Sequence, residues 1–256
     1  MVIDTDTETK LKPLIKTKVE RNLIIDLFDN YKEKDKLKSG WGFSCFIKRD
    51  EKTNILFDTS PSGEDLLFNM KEMKVDPKEI DMIFLSHLHN DHTGGLIKLL
   101  EENSELPVII PSSFPIDFKE KIKEKGAEFK EVSTFSEIGE DIFSTGEFKG
   151  FTKEHSLIIK TRKGLIVITG CAHPGILNIL NRVDKNFSED IYLVLGGFHL
   201  DNEPQLKIEN IVERFKEKKI KKVAPSHCTG DRARRLFEKN YENNYINNGA
   251  GKIINF

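Results

Sequence analysis

SHLHNDHTGG, residues 86–95, places three histidines and one aspartate within six positions. The chain has seven histidines in 256 residues, so chance is a poor account of three of them here. Imidazole nitrogen and carboxylate oxygen together suit zinc, iron or manganese. His87 and His89 are two apart and point to the same side of an extended backbone. Asp91 and His92 follow in a turn that Thr93-Gly94-Gly95 closes. A single ion rarely takes four ligands from so tight a loop. The stretch therefore predicts two divalent metal ions, with zinc the first choice and iron or manganese the alternatives.

Outward from this loop, strand-like and helix-like segments alternate. Met82 to Leu85 is a short apolar run that reads as a buried strand running into the histidines. Phe43 to Ile47 and Asn54 to Asp58 read as strands joined by a polar turn. In Gly63 to Met73, Leu66, Leu67, Met70 and Met73 recur at helical spacing. Asp76-Pro77 signals a helix start, and Gly95 to Glu102 reads as a helix. Pro107 to Ile110 reads as a strand and Ile116 to Lys125 as a helix stopped by Gly126. His155 to Lys160 and Leu165 to Thr169 read as a hairpin turning near Lys163-Gly164. Helices are expected over Ile176 to Val183, around Leu206 to Phe215 and over Asp231 to Lys239. Strands are expected over Ile191 to Leu195, Lys222 to Ala224 and Lys252 to Phe256. The later histidines follow strands: Thr169 precedes His173, Leu195 precedes His199, and Ala224 precedes His227. Loops at strand ends are where α/β proteins place their sites, so four such loops are expected to converge.

The whole chain sets wider bounds. Hydrophobic residues make up 38% and charged residues 32%, the balance of a soluble globular protein. Net charge is −2 with both signs mixed, which argues against a general nucleic-acid binder. Three cysteines, Cys45, Cys171 and Cys228, do not make a disulfide framework and point to a reducing, cytoplasmic setting. No signal core and no apolar run of about 18 residues is present, so neither secretion nor a membrane span is expected. No linker or repeat divides the sequence. One domain over residues 1–256 is expected, with about the first dozen polar residues frayed.

SHLHNDHTGG resembles the H-x-H-x-D-H signature of the metallo-β-lactamase superfamily. Asp58 in LFDTS matches that superfamily's first motif, an aspartate at a strand end that orients the histidines of the metal loop. ITGCAHPGI (168–176), LGGFHL (195–200) and PSHCTGD (225–231) are similar to a branch described as β-lactamase superfamily II metal-dependent hydrolases. Some members of that branch are named 7,8-dihydropterin-6-methyl-4-(β-D-ribofuranosyl)aminobenzene-5′-phosphate synthases, of the methanopterin pathway. The resemblance runs from about Gly42 to the C-terminus. It implies an α/β fold (α+β by some schemes), a four-layer αββα sandwich with the metals in a cleft at one edge.

The resemblance also implies roles. His87, His89 and His173 would bind the first metal, and Asp91, His92 and His227 the second. The superfamily's bridging aspartate sits in a T-G-D segment that here reads Thr169-Gly170-Cys171. Cys171 is open to three readings: thiolate ligand, small buried filler or unused neighbour, with filler favoured. His155 is a further ligand candidate, because some relatives carry their third ligand at the start of a strand. His199, after Gly196-Gly197, is read as a substrate or acid/base residue beside the metals or as a core histidine. Asp91 and His199 are thus the catalytic candidates. Arg232, Arg234 and Arg235 are phosphate-binding candidates by position, set against a solvated helix face.

Such a centre serves hydrolysis or group transfer on a phosphorylated small molecule, and the resemblance adds a pterin-related synthase. A phosphodiesterase or nuclease of the same superfamily and a non-catalytic metal-containing sensor are the alternatives. A diiron–flavin enzyme would need a flavin domain for which the chain has no room. Self-association into a homo-oligomer is left open by the sequence.

Overall fold

A computed structural model describes residues 22–50 and 52–256, so the expected frayed N-terminal segment lies outside the described residues. The strands are β1 (Leu23–Phe28), β2 (Ser44–Lys48), β3 (Ile55–Phe57), β4 (Met82–Phe84), β5 (Val108–Pro111), β6 (Phe129–Val132), β7 (Ser136–Gly139), β8 (Ile142–Ser144), β9 (Leu157–Thr161), β10 (Gly164–Thr169), β11 (Ile191–Gly197), β12 (Lys222–Ser226) and β13 (Ile253–Asn255). The helices are α1 (Gly63–Glu72), α2 (Asn90–Thr93), α3 (Leu96–Glu102), α4 (Ile116–Glu124), α5 (Ile176–Asn186), α6 (Gln205–Glu217) and α7 (Asp231–Tyr241). One sheet runs β13-β1-β2-β3-β4-β5-β6 and the other β12-β11-β10-β9-β8-β7.

Period-two alternation builds the layers. Met82 and Phe84 of β4 join Ile166 and Ile168 of β10 and Leu193 and Leu195 of β11 in the core between the sheets. The intervening Ile83 faces the other way, where it packs with Leu66 and Met70 of α1, Leu99 of α3 and Ile122 of α4. Leu165, Val167 and Val194 face outward in the second sheet, against Ile179 and Val183 of α5, Ile208 and Phe215 of α6 and Phe237 of α7. The result is the four-layer αββα sandwich. Each fully buried side chain of this size contributes about 1.5–3 kcal/mol.

Local signals explain the helix starts. The Ser62 side chain accepts from the Asp65 amide and caps α1, with Glu64 and Asp65 in its first turn. Asp76 caps a single helical turn, Pro77–Glu79, through a reciprocal capping box. Asp76-Pro77 is thus a helix start, but of one turn only. Four strands lie outside the sequence reading: β1 and the run β6, β7 and β8.

Strand direction positions the site. β3 and β4 are parallel neighbours, as are β10, β11 and β12. Asp58 follows β3, the histidine loop follows β4, Cys171 and His173 follow β10, His199 follows β11, and His227 follows β12. All five segments leave C-terminal strand ends and meet at one edge of the sandwich. Several of these residues turn sharply: Asp58, Ala172, His199 and His227 have φ of 53°, 61°, 54° and 48°. Left-handed backbone at non-glycine residues costs energy and concentrates at functional sites.

Candidate metal centre

The loop after β4 runs straight into α2, which carries Asp91 and His92. Gly94 and Gly95 let this turn pack on the loop after β3: a Cβ on Gly95 would stand 2.1 Å from the Thr59 carbonyl oxygen, and one on Gly94 2.3 Å from that of Pro61. Two donor clusters result. The donor atoms of His87, His89 and His173 lie within 4.8 Å of one another, as do those of Asp91, His92, Cys171 and His227. These are the two groupings expected from the sequence, with Cys171 added to the second.

The second cluster has the spacing of a coordination shell. Asp91 Oδ2 is 3.4 Å from both His92 Nε2 and His227 Nε2. Cys171 Sγ is 3.3 Å from the same two nitrogens. Tetrahedral bonds of about 2.0 Å to nitrogen or oxygen and about 2.3 Å to sulfur put donors roughly 3.3–3.8 Å apart. In the first cluster His87 Nε2 and His89 Nδ1 are 3.1 Å apart. His173 Nε2 is buried with no hydrogen-bond partner. Buried polar atoms are nearly always satisfied, so an orphaned nitrogen facing other imidazoles fits a metal ligand. The residues present therefore fit divalent ions of the zinc, iron or manganese kind.

One carboxylate stands behind both clusters. Asp58 Oδ2 accepts from His92 Nδ1 at 2.6 Å and from the Ser86 hydroxyl at 2.7 Å, and Oδ1 accepts from the Ser86 amide at 2.7 Å. Because that hydroxyl donates to Asp58, it accepts from His87 Nδ1 at 2.9 Å. His87 then turns a bare Nε2 toward the donors around it, while His92 Nε2 faces the Asp91 carboxylate at 3.4 Å. Asp58 thus touches His92 directly and His87 through Ser86. Gly170 makes room for it, since a Cβ there would stand 2.1 Å from Ser86 Oγ and 3.1 Å from Asp58 Oδ2. On the other side, Asn30 Oδ1 accepts from His227 Nδ1 at 2.8 Å, and Asp29 Oδ1 accepts from the His227 amide at 3.2 Å.

Electrostatics divides the clusters. Burial, then the neighbouring imidazoles, hold His87 well below the ordinary histidine range. Burial likewise pushes His173 down to about 3, reinforced by His199 and His89. These rings stay neutral, the form that binds metal. Burial works against charge on His92 too, but the Asp58 carboxylate outweighs it and lifts that ring to about 10. Burial also opposes charge on Asp91, yet hydrogen bonds from His227 and His92 hold its carboxyl below the usual range. The second cluster is thus a place that favours positive charge.

Glu154 is a residue the sequence reading missed. It is fully buried, and its Oε1 accepts the amides of Cys171 at 3.1 Å and Ala172 at 2.9 Å. Its Oε2 accepts the amide of His173 at 2.8 Å. One carboxyl thereby fixes the turn that delivers a donor to each cluster. Burial pushes it up to about 7 against the pull of those amides.

His155 requires a correction. Its Nε2 donates to the Leu85 carbonyl at 2.9 Å, its Nδ1 meets Ser144 Oγ at 2.9 Å, and its ring stacks on Phe84 at 4.1 Å. Both nitrogens are used, so it is a core histidine and leaves the ligand set. Arg234 is also reassigned. It is buried over the Tyr31 ring and donates to Asn247 Oδ1 and the Asn248 carbonyl, so it serves packing. Arg232 and Arg235 lie on the exposed side of α7. His199 sits at the surface with its ring 4.6 Å from that of His173. Trp41, 57% exposed, lies 5.1 Å from the His227 ring and forms a rim to the site.

The family model of the metallo-β-lactamase superfamily matches residues 42–227, and the chain belongs to that superfamily. Family and donor clusters together make it a metal-dependent enzyme of the hydrolase and transferase kind. Among its relatives is a Methanocaldococcus jannaschii protein named 7,8-dihydropterin-6-methyl-4-(β-D-ribofuranosyl)-aminobenzene-5′-phosphate synthase. The two are 33% identical over 250 residues, 80% of this chain and 85% of the relative. An uncharacterised protein of the same organism is 31% identical over 83% of this chain and 92% of its own length. The crystal structure of Tm1679, described as a metal-dependent hydrolase of the β-lactamase superfamily, superposes with a TM-score of 0.77. It is 29% identical over 91% of this chain and 98% of that one. Among the described residues no helix is long and apolar enough to cross a membrane.

Proposed function

We propose that the chain holds two divalent ions, zinc the first choice, and acts on a phosphorylated small molecule by group transfer or hydrolysis. His87, His89 and His173 would hold one ion, and Asp91, His92, Cys171 and His227 the other. Ions bound there supply Lewis acidity toward the anionic oxygens of a phosphate or pyrophosphate and toward water. The chain's own residues do the rest. Asp58 and Ser86 fix the ring orientation of His92 and His87, and Glu154 fixes the turn carrying Cys171 and His173. His199, at the surface, would carry a proton to or from a leaving group, and the Cys228 sulfur beside it raises its affinity for that proton. Trp41 at the rim offers an aromatic face to a planar substrate.

The observation that carries this reading is the pair of donor clusters, each drawn from separate strand-end loops. The 33% identity to a named pterin-pathway synthase favours a pterin pyrophosphate with a ribofuranosyl aminobenzene phosphate as co-substrate. The net charge of −2 gives no general attraction for a nucleic-acid backbone.

The test is metal content on anaerobically purified protein, followed by assay on a panel of phosphorylated substrates that includes the pterin pair. About two ions per chain and turnover restricted to phosphorylated compounds are expected. Turnover of neutral lactones alone would sink the substrate class, and a chain that takes up no zinc, manganese or iron would sink the centre.

A further inference from the structure

A third group of donors lies against the second cluster. Cys171, His199 and Cys228 have their donor atoms within 4.8 Å of one another. Cys228 Sγ is 3.5 Å from the Cys171 carbonyl oxygen, so the two thiols belong to touching segments after β10 and β12. Both are buried free thiols. Gly197 leaves room for them: a Cβ there would stand 2.7 Å from Cys228 Sγ. His199 closes the group on its solvent side, at a φ of 54°. Of the three, His199 alone borders a cavity of about 460 Å³ between α5 and α6, lined also by His173, Leu177, Asn178, Lys207 and Asn210.

We propose that Cys171, His199 and Cys228 form a third metal position, selective for a thiophilic ion and reached from the exposed His199 side. Two sulfurs and one imidazole favour zinc or copper(I) and discriminate against magnesium and calcium. Bonds of about 2.3 Å to sulfur and about 2.0 Å to nitrogen need donors roughly 3.3–3.8 Å apart, so an ion draws these three together by about 1.5 Å at most. The cavity side is left for a fourth ligand. A thiolate has lone pairs for two ions, so Cys171 serves this position and the second cluster together. Filling it occupies His199, so a thiophilic ion beyond two per chain slows turnover. The count of three ions and the slowed turnover rest on the reading of function given above.

The test is a cadmium titration of reduced, chelator-stripped protein. Bound ions are counted after desalting and thiolate-to-cadmium charge transfer is read in the ultraviolet. Wild type binds three ions per chain. Cys228→Ser and His199→Gln bind two, and Cys228→Ser loses about two thirds of the charge-transfer signal, because two of the three sulfur–cadmium bonds go with the third ion. Far-ultraviolet circular dichroism checks folding, and if Cys228→Ser does not fold, the surface variant His199→Gln decides alone. Two ions in wild type, or a third ion retained in His199→Gln, overturns the third position while leaving the two-ion centre standing. No cadmium bound at all removes the centre itself.

Discussion

The two donor clusters differ in almost every physical respect. The His87, His89 and His173 cluster is all imidazole, kept neutral by burial and mutual repulsion, and open to solvent at His89. The Asp91, His92, Cys171 and His227 cluster is largely buried and contains a carboxylate held charged. Each of its rings is braced from behind, His92 by Asp58 and His227 by Asn30. On the two-ion proposal, the contrast would give the centre a stiff, negatively biased half for an ion that stays and a neutral, open half for an ion that exchanges.

The hardest blow to this contrast is Asp58→Ala, because Asp58 serves both halves. Affinity for both ions should fall about 10–100-fold. Stability should drop by about 3–5 kcal/mol, since His92 and the Ser86 amide lose a buried partner. Metal competition and thermal melts with and without chelator measure the two effects, and loss of only one ion would show that the clusters are braced separately. The next largest effect separates them. His87→Ala should keep the tight ion through desalting, whereas His227→Ala should come off the column nearly metal-free. Equal retention in the two variants would erase the distinction.

A smaller effect tests the thiol. Of the two halves, Cys171→Ser should weaken the braced one alone, by about tenfold or roughly 1.4 kcal/mol. Cobalt-substituted protein should lose its thiolate band, and an unchanged band would place the sulfur outside the coordination shell. The mildest test uses His155 as the reference histidine that binds nothing. Burial pushes it down to about 3. The unfolded chain takes up a proton near pH 6.5 and the native state does not. Its contribution is therefore complete above about pH 6.5 and is lost as pH falls toward 3, by up to about 1.4 kcal/mol per pH unit. Unfolding midpoints of His155→Gln should depend less steeply on pH between 7 and 5 than those of wild type. Parallel curves would mean that this ring takes up protons in the native state as readily as in the unfolded chain.

Much of the centre was legible in the sequence because its donors sit in short motifs that follow apolar strands. SHLHNDHTGG gave both halves, and Asp58, His173 and His227 each close a strand that periodicity locates. What supports those donors was not legible. Glu154 holds amides 17 to 19 positions away, and Asn30 meets His227 across 197 positions, with no local spacing to announce either. His155 looked like a ligand by position, and only its tertiary partners Ser144 and Leu85 show otherwise. β1 escaped because Leu23–Phe28 is an apolar run broken by Asp26, without alternation. β6 escaped because two of its four residues, Lys130 and Glu131, are exposed side by side. The thiol at Cys171 carries no signal of its own. Its meaning comes from two imidazoles that the chain supplies 79 and 56 positions away.

Those separations have a mechanical consequence. His92 arrives from the first sheet, and Cys171 and His227 from the second. An ion held between them would tie the two halves of the sandwich across a long loop, as a covalent crosslink does. Chelators should then act on this fold as reducing agents act on a disulfide, releasing the seam between the sheets and hastening unfolding.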